Sequence, residues 1–369
     1  MNIYKNIILI ILVILVFGGI TYLNSQKASR NTIGGNVEVE TVMEKEEKAN
    51  IYPTAKEITT PDGFINTDDK PVTIGEFVGK KVVLIDFWTY SCINCQRTTP
   101  YLNAWYEKYK DDGLVIIGVH TPEFEFEKKY KNVLEATKRM GIKFPVALDN
   151  DFSTWNAYEN RFWPRKYLID IDGYVIYDHI GEGGYEETEK KIQEALKERV
   201  VVLGMKDNIS KDIVTSIEVT SGDRSKPKSP EIYFGATRNS LENGKSQTLG
   251  IQSFKEPVKV NVNSLYLGGD WDLKDEFAEN KSKGAKIIFR YQAKDVYIVA
   301  SSEEGVNVSL LLDGKPLAKE GGEDVFQGSV FIKEDRLYKI IQDSEGFGEH
   351  TLELIIEKPG MKAFTFTFG

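Results

Sequence analysis

An apolar run, a charged stretch, a strand–helix alternation and a series of short strand-like runs follow one another along this 369-residue chain. The first, Ile7–Leu23, holds 17 residues without a charge, with Lys5 before it and Lys27 after it. At about 1.5 Å per residue it just reaches across a thin hydrocarbon layer. Residues 1–23 therefore predict a single membrane anchor or a signal segment, and Ser25–Ser29 offers only a poor cleavage site. Positive charges flank the run on both sides and do not set its orientation. The very short N-terminal tail and its export-signal character place the body outside the cytoplasm. Residues 24–50 are polar and mixed in charge (Glu44-Lys45-Glu46-Glu47-Lys48) and predict a tether.

From 51 to 203 the period alternates between strand and helix. The pattern predicts strands at Val82–Asp86, Leu114–Val119, Phe144–Ala147 and Lys166–Ile171, and helices at Thr99–Tyr109, Glu127–Met140 and Glu186–Leu203. Asp172-Gly173 reads as a hairpin turn into Tyr174–Tyr177. Such alternation makes a sheet with helices on both faces, an α/β domain. A linker is expected over 204–229, its boundary marked by Ser221–Ser229. Beyond it, from 230 to 369, helix signals nearly vanish. Short runs at Ala285–Tyr291, Asp295–Ala300, Val306–Leu312, Ser329–Ile332, Leu337–Ile341 and Thr351–Ile356 predict an antiparallel sandwich or jelly roll.

Length alone favours two domains. The formal net charge of −9, with both signs interspersed, argues against a nucleic-acid footprint and against nucleic acid as a partner.

The chemistry lies in the only two cysteines, Cys92 and Cys95, which follow the strand Val82–Asp86 in the run Asp86-Phe87-Trp88-Thr89-Tyr90-Ser91-Cys92-Ile93-Asn94-Cys95. A strand that delivers Cys-x-x-Cys to the first turn of a helix is a dithiol/disulfide device. Unpaired backbone N–H groups at a helix start favour an anionic sulfur, the attacking species. Cys95, one turn on, closes the disulfide. Half of a zinc site is the competing reading, but no third cysteine exists, and His120, His179 and His350 form no ligand pair, so no metal or other cofactor is expected. A purely structural bridge across so short a loop removes little entropy from the unfolded chain.

These residues resemble the thioredoxin fold in detail. A buried Asp stands six residues before the first cysteine in that family, and Asp86 has this offset. A proline follows the second cysteine by five residues, as Pro100 does. A cis-proline faces the disulfide, and Trp163-Pro164, just before Lys166–Ile171, is its match. More closely still, FWTYSCINCQRTTPYL, GVHTPEFEFE, PVALDND, WNAY, FWPRKYLID and GEGGYEETE resemble the thioredoxin-like domain of DipZ-type (TlpA-like) thiol-disulfide oxidoreductases. PEIYFG, LYLGGDW, AKDVYIVAS, LDGKPL, RLYKII, GEHTLEL and FTFTFG resemble the C-terminal β-domain of the same proteins, which looks like a carbohydrate-binding module. Two departures stand out. Ser91 replaces the tryptophan common before the first cysteine, and the chain has at most one span where DipZ-type proteins commonly carry a multi-span domain.

The resemblance implies roles. Cys92 is the nucleophile, Cys95 resolves the mixed disulfide, and Asp86, its pKa raised by desolvation, is the base, directly or through water. Pro164 presents backbone where an extended substrate pairs by strand addition. Trp88, Tyr90 and Trp163 are the expected substrate-binding walls, although core packing explains Trp88 and Tyr90 equally well. His120 and Glu123 read as a surface loop near the dithiol. Trp271, Tyr233 and Tyr266 are a stacking platform for a cell-wall glycan if they are not core. The expected function is an anchored, extracytoplasmic reductase of protein disulfides, fed by a membrane electron-donor protein of CcdA type. An oxidase or isomerase, or a wall- or protein-binding module with a secondary dithiol, remains open.

Overall fold

A computed structural model describes residues 43–68, 70–214, 228–343 and 346–369. The apolar run Ile7–Leu23, the tether up to residue 42, and Ser221–Ser229 as far as residue 227 lie outside the described residues. Among the described residues no helix is long and apolar enough to cross a membrane.

The first half builds on a six-stranded sheet. Its strands are β1 (Gly63–Ile65), β2 (Val82–Trp88), β3 (Leu114–His120), β4 (Val146–Leu148), β5 (Arg165–Ile169) and β6 (Val175–Ile180), in the order β1-β4-β3-β2-β5-β6. β2 pairs in parallel with β3 and antiparallel with β5. Every residue of β2 and β3 is buried, as expected for central strands covered on both faces. The two-residue period divides β2 between two cores: Val82, Leu84 and Trp88 on one face, Val83, Ile85 and Phe87 on the other. Helices α1 (Ile93–Tyr109), α2 (Tyr130–Arg139) and α4 (Tyr185–Val202) pack Leu102, Trp105, Val133, Ile192 and Leu196 onto the first face. The short α3 (Ser153–Ala157) places Trp155 on the second. This is a thioredoxin-like α/β fold.

One expected helix is divided. Glu127–Met140 splits into a 3-10 turn, Glu125–Lys128, and α2, with Lys129 extended at φ −73° and ψ 115°. The break follows from the Glu127 carboxylate, which turns back to accept the backbone N–H groups of Glu123 (2.7 Å) and Phe124 (3.0 Å).

The second half is all β. Two sheets share β9 (Leu265–Leu273), which pairs with β11 (Ala285–Ala293) through Leu265–Gly268 and with β10 (Ala278–Asn280) through Trp271–Leu273. Gly269, at φ +83°, lets the strand turn from one sheet into the other. One sheet continues through β19 (Lys362–Phe368) to β12 (Asp295–Ser301) and β17 (Arg336–Gln342), with β7 (Ile232–Tyr233) beside β19. The other continues through β18 (Gly348–Ile356) to β13 (Val306–Leu312) and β16 (Ser329–Ile332). Alternate residues, among them Ile287, Phe289, Ile298, Leu352, Leu354 and Phe366, form a single apolar core. Trp271 is fully buried in it and Tyr266 is 5% exposed, so these two make no glycan platform. Trp271 is core; Tyr266 lies on the face of β9 opposite Leu265 and Leu267, where its hydroxyl accepts the Asn261 N–H at 3.3 Å.

The described ends of the tether and linker, residues 43–50 and 204–214, lie against the α/β domain. Lys48 is buried, its ammonium 2.7 Å from both Asp170 and Asp172 and paired with Glu198 as well. Three carboxylates compensate its desolvation, which fixes residues near 48 to the α/β domain. Ile209 is buried, and Val214 N–H donates to Glu189 at 2.7 Å, so residues 204–214 follow the surface of that domain. The two halves also share a core. Phe364 of β19 packs against Phe124 and Phe126 at 5.2 and 4.8 Å, and Tyr297, Val299 and Leu337 join the same cluster.

Candidate active site

The first turn of α1 starts immediately after β2. Cys92 is its N-cap residue, with extended backbone (φ −80°, ψ 120°), and its carbonyl accepts the Gln96 N–H at 3.0 Å. The sulfur of Cys92 therefore lies beside the unpaired N–H groups at the helix start. Cys92 is half-buried and Cys95 fully buried, both as free thiols. Burial, first of all, pushes the Cys95 thiol well up, and the neighbouring Cys92 and Asp86 push in the same direction. The outer sulfur is thus accessible, and the inner one keeps its proton until a base removes it.

A buried carboxyl stands behind the inner sulfur, placed there by strand pairing. Asp86 sits on β2 with the residues that face α1, and it is 2% exposed. Burial raises its carboxyl from 3.8 to about 7, partly opposed by the Lys166 ammonium. Lys166 lies directly across β5 from Asp86 in the β2–β5 register. Its Nζ is 4.0 Å from the carboxylate, too far for a hydrogen bond, and neither atom has another hydrogen-bond partner. Burial lowers the Lys166 pKa in turn, and Asp86 and Cys95 oppose that shift. Sequence offsets identify Asp86 but give no hint of Lys166, whose position depends on the sheet register.

Glu127 is a second residue that the sequence did not mark. Its Oε1 accepts from the Ser91 N–H (3.2 Å) and hydroxyl (2.7 Å), while its Oε2 holds the backbone of Glu123 and Phe124. Burial raises this carboxyl, and its donors, Ser91 first, restrain the rise. The residue that departs from the common tryptophan is thereby the one that fastens the start of the cysteine motif to the loop after β3.

The expected walls divide. Trp163 is half-buried beside the dithiol, with its peptide bond to Pro164 cis and its carbonyl oxygen 3.9 Å from Cys92 Sγ. Its indole N–H donates to the Thr121 carbonyl at 3.0 Å. Trp88 and Tyr90, by contrast, are 2% and 1% exposed and do not line the cleft that contains Cys92. Both pack around His120, Trp88 edge-on at 5.1 Å and Tyr90 stacked at 5.7 Å. They are core residues because the end of β2 is covered on both faces. His120 is not on a surface loop either. It is fully buried at the end of β3, and burial lowers its pKa to about 3, so it stays neutral.

Glu123 does reach the site. It lines a cleft of about 540 Å³ that opens on Cys92, Phe162 and Trp163 on one side and on Glu231, Tyr233 and Arg238 of the β-domain on the other. Burial raises its carboxyl to about 7, and Arg238, 2.9 Å away, opposes the rise. Among the described residues no third metal-ligating side chain gathers with the two cysteines. The arrangement is that of a dithiol whose outer sulfur opens on a cleft and whose inner sulfur lies in the field of a buried carboxyl.

Comparison with known proteins gives the same chemistry. Residues 50–196 match the family described as Redoxin, and residues 229–369 match the family described as thioredoxin like C-terminal domain. Protein DipZ of Mycobacterium tuberculosis is 38% identical over 323 residues, which is 86% of this chain and 43% of that protein. The chain thus spans less than half the length of that relative. Thiol-disulfide oxidoreductase YkuV of Bacillus subtilis is 30% identical over 142 residues, 38% of this chain and 93% of YkuV. Thiol-disulfide oxidoreductase ResA of Bacillus thuringiensis is 33% identical over 153 residues, 42% of this chain and 80% of ResA.

Proposed function

Because this chain belongs to the thiol-disulfide oxidoreductases, we propose that it works as a reductase of protein disulfides outside the cytoplasm. One observation carries the reading: Cys92 is accessible at the N-cap of α1, with Cys95 buried behind it in the field of Asp86. The Cys92 thiolate attacks one sulfur of the substrate disulfide, forms the Cys92–substrate mixed disulfide and releases the other sulfur as a thiolate. Asp86 then takes the Cys95 proton. The Cys95 thiolate attacks Cys92 Sγ and displaces the second substrate thiolate. Two electrons have passed to the substrate, and the enzyme holds a Cys92–Cys95 disulfide.

A membrane dithiol protein of CcdA type returns the enzyme to its reduced state in this reading. The uncharged run Ile7–Leu23 supports an anchor that keeps the domain near such a donor. The test uses the full chain in its own membrane. Cys95→Ser is expected to accumulate mixed disulfides with exported proteins, visible as thiol-sensitive bands, and Cys92→Ser to accumulate none. Equal bands from both variants would remove Cys92 from the role of nucleophile.

A further inference from the structure

The cleft over Cys92 is not made by the α/β domain alone. Strand period places Glu231 and Tyr233 on one face of β7, opposite Ile232, which packs on the β-domain core. Thr365 lies across from Tyr233 in the β7–β19 register, and Thr365 and Thr367 line the same cleft. The alternating run Phe364-Thr365-Phe366-Thr367-Phe368 thus turns a polar row toward the cysteine motif and keeps Phe366 in the core.

This wall is held in place. The Arg238 guanidinium donates to Glu123 Oε1 at 2.9 Å and stacks on the Tyr233 ring at 3.8 Å. The Tyr233 hydroxyl lies 3.1 Å from the same carboxylate oxygen and 2.9 Å from Glu231. Phe364, one residue before the polar row, packs edge-on against the stacked pair Phe124 and Phe126. A β-domain that swung on a loose linker could not keep this packing. The opposite rim of the cleft carries Phe162, an aromatic side chain that is 47% exposed, together with Trp163.

We propose that the β-domain wall, Glu231 and Tyr233 above all, makes the site selective for disulfides carried on an extended polypeptide segment. The inference rests on the oxidoreductase reading and adds a substrate class to it. A partner sulfur that reaches Cys92 does so within this cleft, and an extended segment carrying it lies along more of the two walls than a cystine set in the flat face of a folded protein does. An extended segment can enter, and it meets an acceptor in Glu231, a hydroxyl row at Thr365 and Thr367, and aromatic surface at Phe162, Trp163 and Tyr233. That lining suits backbone N–H groups and mixed side chains. A small disulfide uses the sulfur alone and gains little from the wall.

The experiment measures mixed-disulfide formation in single turnover, with chemically reduced full-length protein in a Cys95→Ser background. Two probes are compared: a linear peptide carrying one mixed disulfide, and hydroxyethyl disulfide. The quantity read is the ratio of the two second-order rate constants. Glu231→Ala and Tyr233→Ala are each expected to lower that ratio about tenfold, the loss of one charge-assisted or aromatic contact. A ratio unchanged within about twofold overturns the proposal, including the case where a disturbed fold slows both probes equally. The ratio does not depend on the direction of electron flow, so a wrong assignment of reductase appears in the reduction potential and leaves this result standing.

Discussion

Cys95 and Asp86 share a buried space in which both cannot be charged at low cost. In the proposed mechanism the Asp86 carboxyl, raised to about 7, is ready to accept the Cys95 proton above that pH and is increasingly occupied by its own proton below it. Resolution of the mixed disulfide is expected to slow about tenfold for each pH unit below about 7. In Asp86→Asn that inflection disappears and resolution at pH 8 slows about 100-fold, as stopped-flow release of substrate thiol will show. Stability moves the other way. The folded carboxyl lies above its unfolded value of 3.8, so its contribution is full below that value and is lost as pH rises through about 7. At pH 8 Asp86→Asn is therefore more stable to urea, by at most about 4 kcal/mol, and by less where Lys166 loses its counter-charge. A fall in stability would contradict this sign. The burial of Asp86 and the cis bond before Pro164 agree with what the family resemblance implies for those two positions. Lys166 is not legible in the sequence, since it meets Asp86 only through the β2–β5 register. Trp88 and Tyr90 misled because proximity to Cys92 along the chain is not proximity to the cleft.

Most elements of the α/β half follow from periodicity, and their departures have local causes. The 3-10 break before α2 depends on Glu127, whose carboxylate holds four donors from two segments. Glu127→Gln keeps the shape but turns one oxygen into a donor; the Ser91 hydroxyl can turn to accept from it, which leaves the Ser91 N–H without an acceptor and removes the charge from all four bonds. The expected loss is about 2–5 kcal/mol in urea unfolding, with Asp, which is too short, no better. The β half was read less completely. β9 is interrupted by Gly268-Gly269, which hides one strand as two fragments, although the glycine is what lets it serve both sheets. β19 alternates Phe and Thr in sequence, yet a register break opposite Val299 and Ala300 lets Phe364 pack on the α/β domain while Phe366 and Phe368 stay in the β core and Thr365 and Thr367 line the cleft.

Composition separates the chain into two domains, but packing joins them around Phe364. Unfolding of residues 43–369 is therefore expected as one cooperative transition, the same by tryptophan fluorescence and by far-ultraviolet dichroism. Phe364→Ala should cost about 3–5 kcal/mol and separate the two probes. Two transitions in the unsubstituted chain would show the domains to be independent. Nothing in local pattern reveals this contact, since it joins Phe364 to Phe124 and Phe126 across the whole of the intervening chain. The direction in which the joined molecule passes electrons is the centre of the proposed function. Its most direct test is the reduction potential of the Cys92–Cys95 pair, equilibrated with thiol buffers in the full chain. A reductase predicts a value near about −270 mV, and a value between about −120 and −180 mV would contradict it.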